Sequence, residues 1–424
     1  MNTGSAPRHA VPDLADPGLY ADHDPHAVWR ALRAYDPVYW QPVGAPHAAR
    51  GQGAGGPRPD AGLGFWAATR YADVDRILRD HEVFTSERGT LLSLIGRPDP
   101  AAGHQMAATD PPRHDALRAP LHKAMRVRSV DAHTREVRAG IRALLPLDGG
   151  PFDFAAGMRD LPLVVLGLLL GLPEADRPHL ARLAMTASAE DDPDLMLPEG
   201  PAATLRRAHR ELFAYFTDLV RARARDPRDD LVGIMLGMRH DGVRMPPAAI
   251  VSNCYSLLLG AAVTLSQVPV ATVMALAENG GYAAWAARPD LLDSGIEESL
   301  RWATPARYFM RTTRRPVELS GVVVPEGQPV VAFLASANRD RRVFTDPDVF
   351  DVARRPNRHL AFGAGPHYCI GANMARLTLR LLFTELFAAY AKLDVVGEPV
   401  RIRSVFLAGV KSLPVQGRLR RAPV

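Results

Sequence analysis

The stretch His359-Leu-Ala-Phe-Gly-Ala-Gly-Pro-His-Tyr-Cys-Ile-Gly371 decides the reading of this 424-residue chain. Gly363 and Gly365 bracket a tight turn, so backbone N–H groups can approach whatever Cys369 holds. An amphipathic helix is expected to open just after the cysteine. Its positive end should stabilise a thiolate and lower the thiol pKa. The chain's other cysteine, Cys254, lies in an apolar run and reads as a buried free thiol.

A single thiolate on a rigid loop, with no second soft ligand nearby, suits an axial ligand to haem iron. The loop resembles the haem-binding signature of the cytochrome P450 superfamily, soluble bacterial type, FGxGxHxCxG. Phe362, Gly363, Gly365, His367, Cys369 and Gly371 occupy its fixed positions. The resemblance covers almost the whole chain. It implies haem b, iron protoporphyrin IX, held by Cys369 as metal ligand, with Phe362, Gly363, His367 and Gly371 around it.

Other segments extend the likeness. Glu298-Ser-Leu-Arg301 matches the family's ExxR, and a three-residue spacing on a helix puts the carboxylate and guanidinium on one face. Arg354 matches the arginine that completes this network, whose implied role is to hold the cysteine loop in shape. His114 and Arg118 lie one turn apart, as two cations facing the haem propionates should. Arg311, His359 and His367 match further propionate contacts, and Ala261 a position over the haem.

The central helix departs from the family. Its usual Ala-Gly-x-acid-Thr relays protons to iron-bound dioxygen, which needs a group within hydrogen-bond reach. Here Ala261-Ala262 stand at the Ala-Gly, Thr264 at the acid and Leu265 at the threonine, with Ser266 just after. No Asp or Glu occurs between Asp241 and Glu278. Thr264 and Ser266 are therefore the candidates for proton delivery, beside ordered water and a substrate hydroxyl. Pro269 lacks an N–H and clashes with the carbonyl four residues earlier, so a kink that frees the Leu265 carbonyl is expected.

By resemblance, the substrate pocket takes Leu91, Leu92, Ala262, Leu265, Arg307, Phe309, Phe406 and Leu407. An apolar pocket with few polar groups is usual for small ligands. A buried guanidinium needs a partner, so Arg307 is read as an anchor for a substrate carboxylate or phenolate, or else as an arginine turned to a loop carboxylate. Glu190-Asp191-Asp192 reads as a solvated loop.

Composition sets the frame. Hydrophobic residues are 47% and charged residues 23%, which is ordinary for a globular protein. The net charge of +5 is spread along the chain without a long basic run, so nucleic acid is not an expected partner. Positive charge is nearly all Arg, with Lys only at 123, 392 and 411. Two cysteines make no disulfide framework, and no apolar leader precedes the first charged residues, so a cytoplasmic home is expected. Residues 246–277 carry no charge and are long enough to span a bilayer, but their polar residues and Pro269 favour a helix buried in a protein core over a membrane span.

Residues 1–25 read as a loose tail and 26–424 as one domain, with a flexible Gly/Pro-rich insertion at about 42–62 between two paired strands. Helical periodicity dominates from Tyr71 to about Leu300, including segments 158–170 and 248–277. Short strands follow at Val317–Leu319, Val322–Val324 and Pro329–Phe333. The fold class is α+β, mainly α, and the resemblance implies a cytochrome P450 fold with haem buried between the central helix and the cysteine loop.

The resemblance implies a haem-thiolate oxidoreductase, a monooxygenase or oxidase. It would activate dioxygen to oxidise a small organic molecule, tailoring a secondary metabolite by hydroxylation or by oxidative cyclisation or coupling. Electrons would come from a separate ferredoxin and its reductase, met by Arg118, Lys123, Arg126 and Arg376. A free substrate and one tethered to a carrier both fit this reading. A non-catalytic haem sensor or partner protein and a catabolic hydroxylase are the alternatives.

Overall fold

Residues Thr204, Ala208, Leu212, Phe216 and Val220 recur every fourth position and form the buried stripe of the longest helix, Pro201–Arg225. That stripe packs on the central helix Pro247–Ala262 and on the helix Arg177–Ser188. Similar stripes assemble the rest of a helical body around one large apolar cluster, which includes Leu258, Leu300, Leu379 and Leu382. The computed structural model describes residues 11–44, 62–125, 133–240, 242–278 and 280–420. Most of the expected insertion and the first part of the expected tail lie outside these residues.

A five-stranded sheet flanks the body. Its order is Val38–Pro42, Gly64–Ala68, Pro329–Phe333, Tyr308–Thr313 and Phe84–Thr85. The first two strands pair antiparallel, with Trp40 opposite Trp66, as the sequence suggested. Pro329–Phe333 joins Gly64–Ala68 in parallel and Tyr308–Thr313 antiparallel. A smaller sheet pairs Pro414–Leu419 with Tyr390–Val395 and Pro151–Asp153. The α+β class, dominated by helix, is as expected.

Four expectations need correction. The tail does not extend to residue 25: helices Pro17–Asp22 and Pro25–Tyr35 are capped by Asp16 and Asp24, and Leu14, Leu19 and Tyr20 are buried. Strand Tyr308–Thr313 was not foreseen, because its MRTTRR run carries charge where a buried strand is usually apolar. The segment 158–170 is two helices, Phe154–Met158 and Leu161–Leu170, with Pro162 in the first turn of the second.

The central helix is the fourth. It stops at Ala262 and resumes as Gln267–Glu278. Across the break Leu265 N–H reaches Ala261 O at 3.3 Å, but Gln267 N–H turns to Thr264 O at 3.1 Å. Val268 N–H then takes the Leu265 carbonyl at 3.3 Å. Pro269 has no N–H to give, so its predecessor supplies the bond one residue early. The kink is present, but the expected free Leu265 carbonyl is not. The apolar stretch itself is core, with Ile250, Val251, Cys254, Leu258, Val268 and Val273 buried.

Candidate active site

The cysteine loop is built by its glycines. Gly363 and Gly365 adopt φ of 71° and 68°, which L side chains rarely adopt. A Cβ on Gly365 would lie 2.6 Å from Leu78 O and Arg79 Cα, so the helix Tyr71–Arg79 can close on the loop only if that residue is glycine. Tyr368 N–H donates to Gly365 O at 3.1 Å and Cys369 N–H to Phe362 O at 2.8 Å. The helix Ala372–Ala389 starts three residues on.

Burial pushes the Cys369 thiol up, against the Gly371 N–H and the charges of Arg118 and Arg376. The expectation that the helix end would lower the thiol pKa is therefore corrected for the protein without its cofactor. Desolvation wins in the bare protein, and thiolate formation is coupled to metal binding.

Two successive carboxylates hold this loop. Glu298 and Arg301 are fully buried and share two 2.8 Å bonds. Arg354 Nε adds a contact to Glu298 at 3.0 Å, and Asp351 N–H another at 2.9 Å. Arg301 also donates to the carbonyls of Asn338 and Pro347, and Asn338 Oδ1 accepts Leu360 N–H at 2.7 Å, two residues before the signature. The expected Glu298, Arg301 and Arg354 network is thus in place.

Glu297, its neighbour, grips Arg376 at 2.7 and 2.8 Å and His359 Nε2 at 3.2 Å. Burial would raise this carboxyl, but Arg376 and His359 hold it at about 2. His359 Nδ1 meanwhile accepts Ala361 N–H at 3.2 Å. Both ring nitrogens are engaged, so His359 is a loop tie and not the expected propionate contact.

The remaining expected haem contacts converge. His114 is buried, its Nδ1 lies 2.9 Å from Asp115, and its Nε2 is buried without a partner. Its ring stands 4.5 Å from that of His367, whose Nε2 reaches Ser86 Oγ at 3.1 Å. Burial lowers His367 to about 4, so the ring is neutral at pH 7. Arg311 is buried, donates to Met310 O at 2.8 Å, and is lowered to about 10 by burial. Arg118 reaches back to Tyr368 O beside the cysteine.

A buried imidazole nitrogen without a partner and a buried guanidinium bonded to a backbone carbonyl are each unfavourable in the protein alone. Carboxylates presented to His114, Arg118 and Arg311 would satisfy both. With one thiol as the soft ligand, the donor set fits haem b. Among the described residues no group of three or more His, Cys, Asp or Glu offers a competing metal site.

The central helix presents an open face. Ser256 and Thr264 are half-buried and Gly260 is exposed, four residues apart along one stripe. A Cβ on Gly260 would meet nothing within 4 Å. Ala261 and Leu265 are half-buried beside it. Thr264 Oγ1 donates to Gly260 O at 2.7 Å, a back-bond of the kind that bends helices.

Two expected contacts on this helix are corrected. Ala262 is 3% exposed, within the core, and Ser266 is 1% exposed, so neither faces the open side. Ser266 is thereby removed as a proton donor.

Of the other residues expected at the pocket, Leu91, Leu92, Phe309 and Phe406 are half-buried, with the Phe309 and Phe406 rings 6.0 Å apart. Leu407 is fully buried, bridged to Ala306, and drops out as a substrate contact. Arg307 is also corrected. Its guanidinium donates to the carbonyls of Ser404 and Leu407 and lies 4.6 Å from the Tyr20 ring centroid. It shapes the 404–407 loop and is not a substrate anchor, and its partners are carbonyls, not the loop carboxylate considered above.

Sequence reasoning missed the contacts that hold residues 104–106 to the central helix. Asn253 of the central helix donates to His104 O at 2.9 Å and accepts Met106 N–H at 2.8 Å, fastening residues 104–106. It also missed Asp192, which is fully buried and bound at 2.6 Å by Lys411. Lys411 is one of only three lysines, and that rarity was the available signal.

Comparison with known proteins agrees with this geometry. Residues 286–400 match the family model described as Cytochrome P450. The chain is 33% identical to Cytochrome P450 NovI of Streptomyces niveus over 409 residues, spanning 95% of this chain and 96% of that one. It is 34% identical to cyclomarin C epoxidase CymV of Salinispora arenicola over 359 residues, 83% of this chain and 90% of that one. Among solved structures, a Mycobacterium marinum cytochrome P450 in complex with pseudoionone matches with TM-score 0.86 at 30% identity, covering 97% of this chain and all of the other. P450 OxyD, involved in the biosynthesis of vancomycin-type antibiotics, matches with TM-score 0.82 at 30% identity, covering 96% of this chain and 100% of that one.

Proposed function

The chain belongs to the cytochrome P450 family, and on that premise we propose that it tailors a secondary metabolite by hydroxylation, epoxidation, or oxidative coupling or ring closure. It is a monooxygenase-class enzyme with haem b as cofactor. Relatives named for cyclomarin C epoxidation and for vancomycin-type biosynthesis support the metabolite class. The observation that carries the reading is the Cys369 loop with the unpartnered His114 Nε2 beside its His367.

When bound, haem supplies the iron centre at which dioxygen is activated for oxidation of the substrate. Cys369 Sγ would hold the iron, and the Gly371 N–H donates to that sulfur. His114, Arg118 and Arg311 would hold the propionates. The Ser256–Gly260–Thr264 stripe and Phe309 and Phe406 position an apolar substrate and exclude bulk water.

Proton supply differs from the usual acid–alcohol pair. The Thr264 hydroxyl already donates to Gly260 O, so it can accept a bond from water and pass a proton only by rotating. Water along the open stripe, or a hydroxyl on the substrate, is the remaining source.

A separate ferredoxin and reductase supply electrons in this reading. Lys123 is exposed for such a contact, Arg376 is held by Glu297, and Arg126 lies outside the described residues. We place the enzyme in the cytoplasm.

The test is reconstitution of the purified holoprotein with a ferredoxin, its reductase and a panel of aromatic and polyketide-like compounds. Products heavier by one oxygen indicate insertion, and products lighter by two hydrogens indicate coupling or closure. A sound haem-thiolate spectrum with no product and no spin-state shift across the panel would overturn the reading.

A further inference from the structure

We propose that Asp110 is a positioning residue: it lodges a fixed negative charge behind His367 and thereby lowers the reduction potential of the haem site. The inference rests on the haem site described above.

Asp110 lies just before the helix Arg113–Ala124, which carries His114 and Arg118. A carboxylate at the start of a helix ordinarily caps its first turn. This helix has no side-chain cap. The Asp110 side chain turns away from it and is buried against the strand Phe84–Thr85. Its Oδ2 accepts Thr85 Oγ1 and, at 2.5 Å, Arg314 Nη2. Its Oδ1 accepts Ser86 N–H at 3.0 Å.

These bonds set the carboxylate beside the residues that would meet haem. His367 Nε2 lies 3.9 Å from Asp110 Oδ1 and 3.1 Å from Ser86 Oγ. The His367 ring stands 4.5 Å from that of His114, whose Nε2 is buried without a partner. His114 N–H donates to the Asp110 carbonyl at 3.0 Å, which fixes the two residues to each other through the backbone as well.

Charge is not balanced at this spot. His367 is neutral at pH 7 and cannot cancel the carboxylate. Among the described residues Arg314 is the cation that bonds it, but 45% of the Arg314 side chain is exposed, against 3% for Asp110. Water screens the outer charge more than the inner one. Glu87 Oε1 accepts the Asp110 N–H at 3.2 Å and brings a second carboxylate. Burial would push the Asp110 carboxyl up, but His367, the Thr85 and Ser86 bonds and the charge of Arg314 hold it below the usual carboxylate range. A net negative field therefore faces the haem site. Reduction of the iron adds one electron, which a ferredoxin supplies in the reading above. A fixed anion close by opposes the added charge.

The test is an anaerobic redox titration of the purified holoprotein, read in the Soret band, for wild type, Asp110→Asn, Asp110→Glu and Arg314→Gln. D110N removes the negative charge and should move the midpoint potential to a more positive value. R314Q removes the outer cation and should move it, by less, to a more negative one. D110E keeps the charge and should fall nearer to wild type than D110N. Opposite signs are the signature, because a loop that is merely loosened would shift both charge variants in one direction.

An unchanged or more negative potential in D110N overturns the proposal. So do shifts of the same sign in D110N and R314Q, or equal shifts in D110N and D110E. If D110N does not take up haem, R314Q decides: a more negative potential supports the proposal, and an unchanged or more positive one overturns it. A wild-type chain that takes up no haem would sink the haem site itself, and the inference with it.

Discussion

Glu297 and Glu298, neighbours on one helix, grip the cysteine loop by different partners: Glu297 takes His359 and Arg376, while Glu298 takes Arg301 and Arg354. The first pair of partners flanks the signature in sequence, on either side of Cys369. The second binds the carbonyls of Asn338, Pro347 and Val349, in the segment that leads into the signature. Loop geometry therefore depends on two carboxylates that differ in exposure, with 30% of the Glu297 side chain and none of Glu298 open to solvent.

Replacing Glu298 with Gln leaves two buried guanidinium groups without a counter-charge. Breaking a buried pair in this way costs about 3–5 kcal/mol. The urea midpoint of the variant should fall accordingly and its haem content with it. A midpoint within error of wild type would refute the structural role given to this network.

Glu297 gives the fold an acid-sensitive tie. Its carboxyl sits at about 2 in the folded chain, below the ordinary unfolded value of about 4.3. The contribution is complete above the unfolded value and disappears as the pH falls through the folded one. Wild type should therefore lose more stability between pH 6 and pH 3 than Glu297→Gln, which lacks the tie at both. Urea titrations at the two pH values measure the difference, and parallel losses would contradict it.

His114→Phe keeps a ring beside His367 but removes the unpartnered nitrogen. A hydrogen bond to a charged group contributes about 1.5–3 kcal/mol. The variant should release haem to an excess of a haem-scavenging protein roughly tenfold faster or more. His359→Phe should affect loop stability more than haem release, because both nitrogens of His359 already serve the protein.

Ser266→Ala should leave the ratio of product formed to reductant consumed unchanged, since the hydroxyl is buried away from the open stripe. Thr264→Ala should lower that ratio only modestly, by about twofold or less, because its proton is directed to the Gly260 carbonyl. A collapse of coupling in Ser266→Ala would overturn the placement of the relay.

Arg307→Leu should loosen the 404–407 loop without changing the preference between a carboxylate ligand and its amide. Spin-state titrations with such a pair measure this. A selective loss for the acid would return Arg307 to the role of substrate anchor.

What could be read in the sequence was local. The cysteine loop, the Glu298–Arg301 spacing and the His114–Arg118 turn are short patterns whose chemistry follows from residue type and separation along a helix or turn. The Pro269 kink was legible for the same reason, because a missing N–H acts within one turn. The helical body followed from periodicity, although the charged strand Tyr308–Thr313 hid from it.

Tertiary structure decided every question of which partner a side chain meets. Arg307 looked like an anchor until Ser404 and Leu407, about a hundred positions away, supplied its acceptors. Glu190, Asp191 and Asp192 are indistinguishable in sequence. Lys411, 219 residues downstream, buries and neutralises one of them. His359 matched a propionate contact until Glu297, 62 residues earlier, took its Nε2. Backbone preferences act between neighbours and are written in the local sequence, whereas burial and charge pairing depend on what folding brings alongside. The sequence by itself thus determined that this chain carries a haem-thiolate loop, and the tertiary structure determined which charges remain unsatisfied around it.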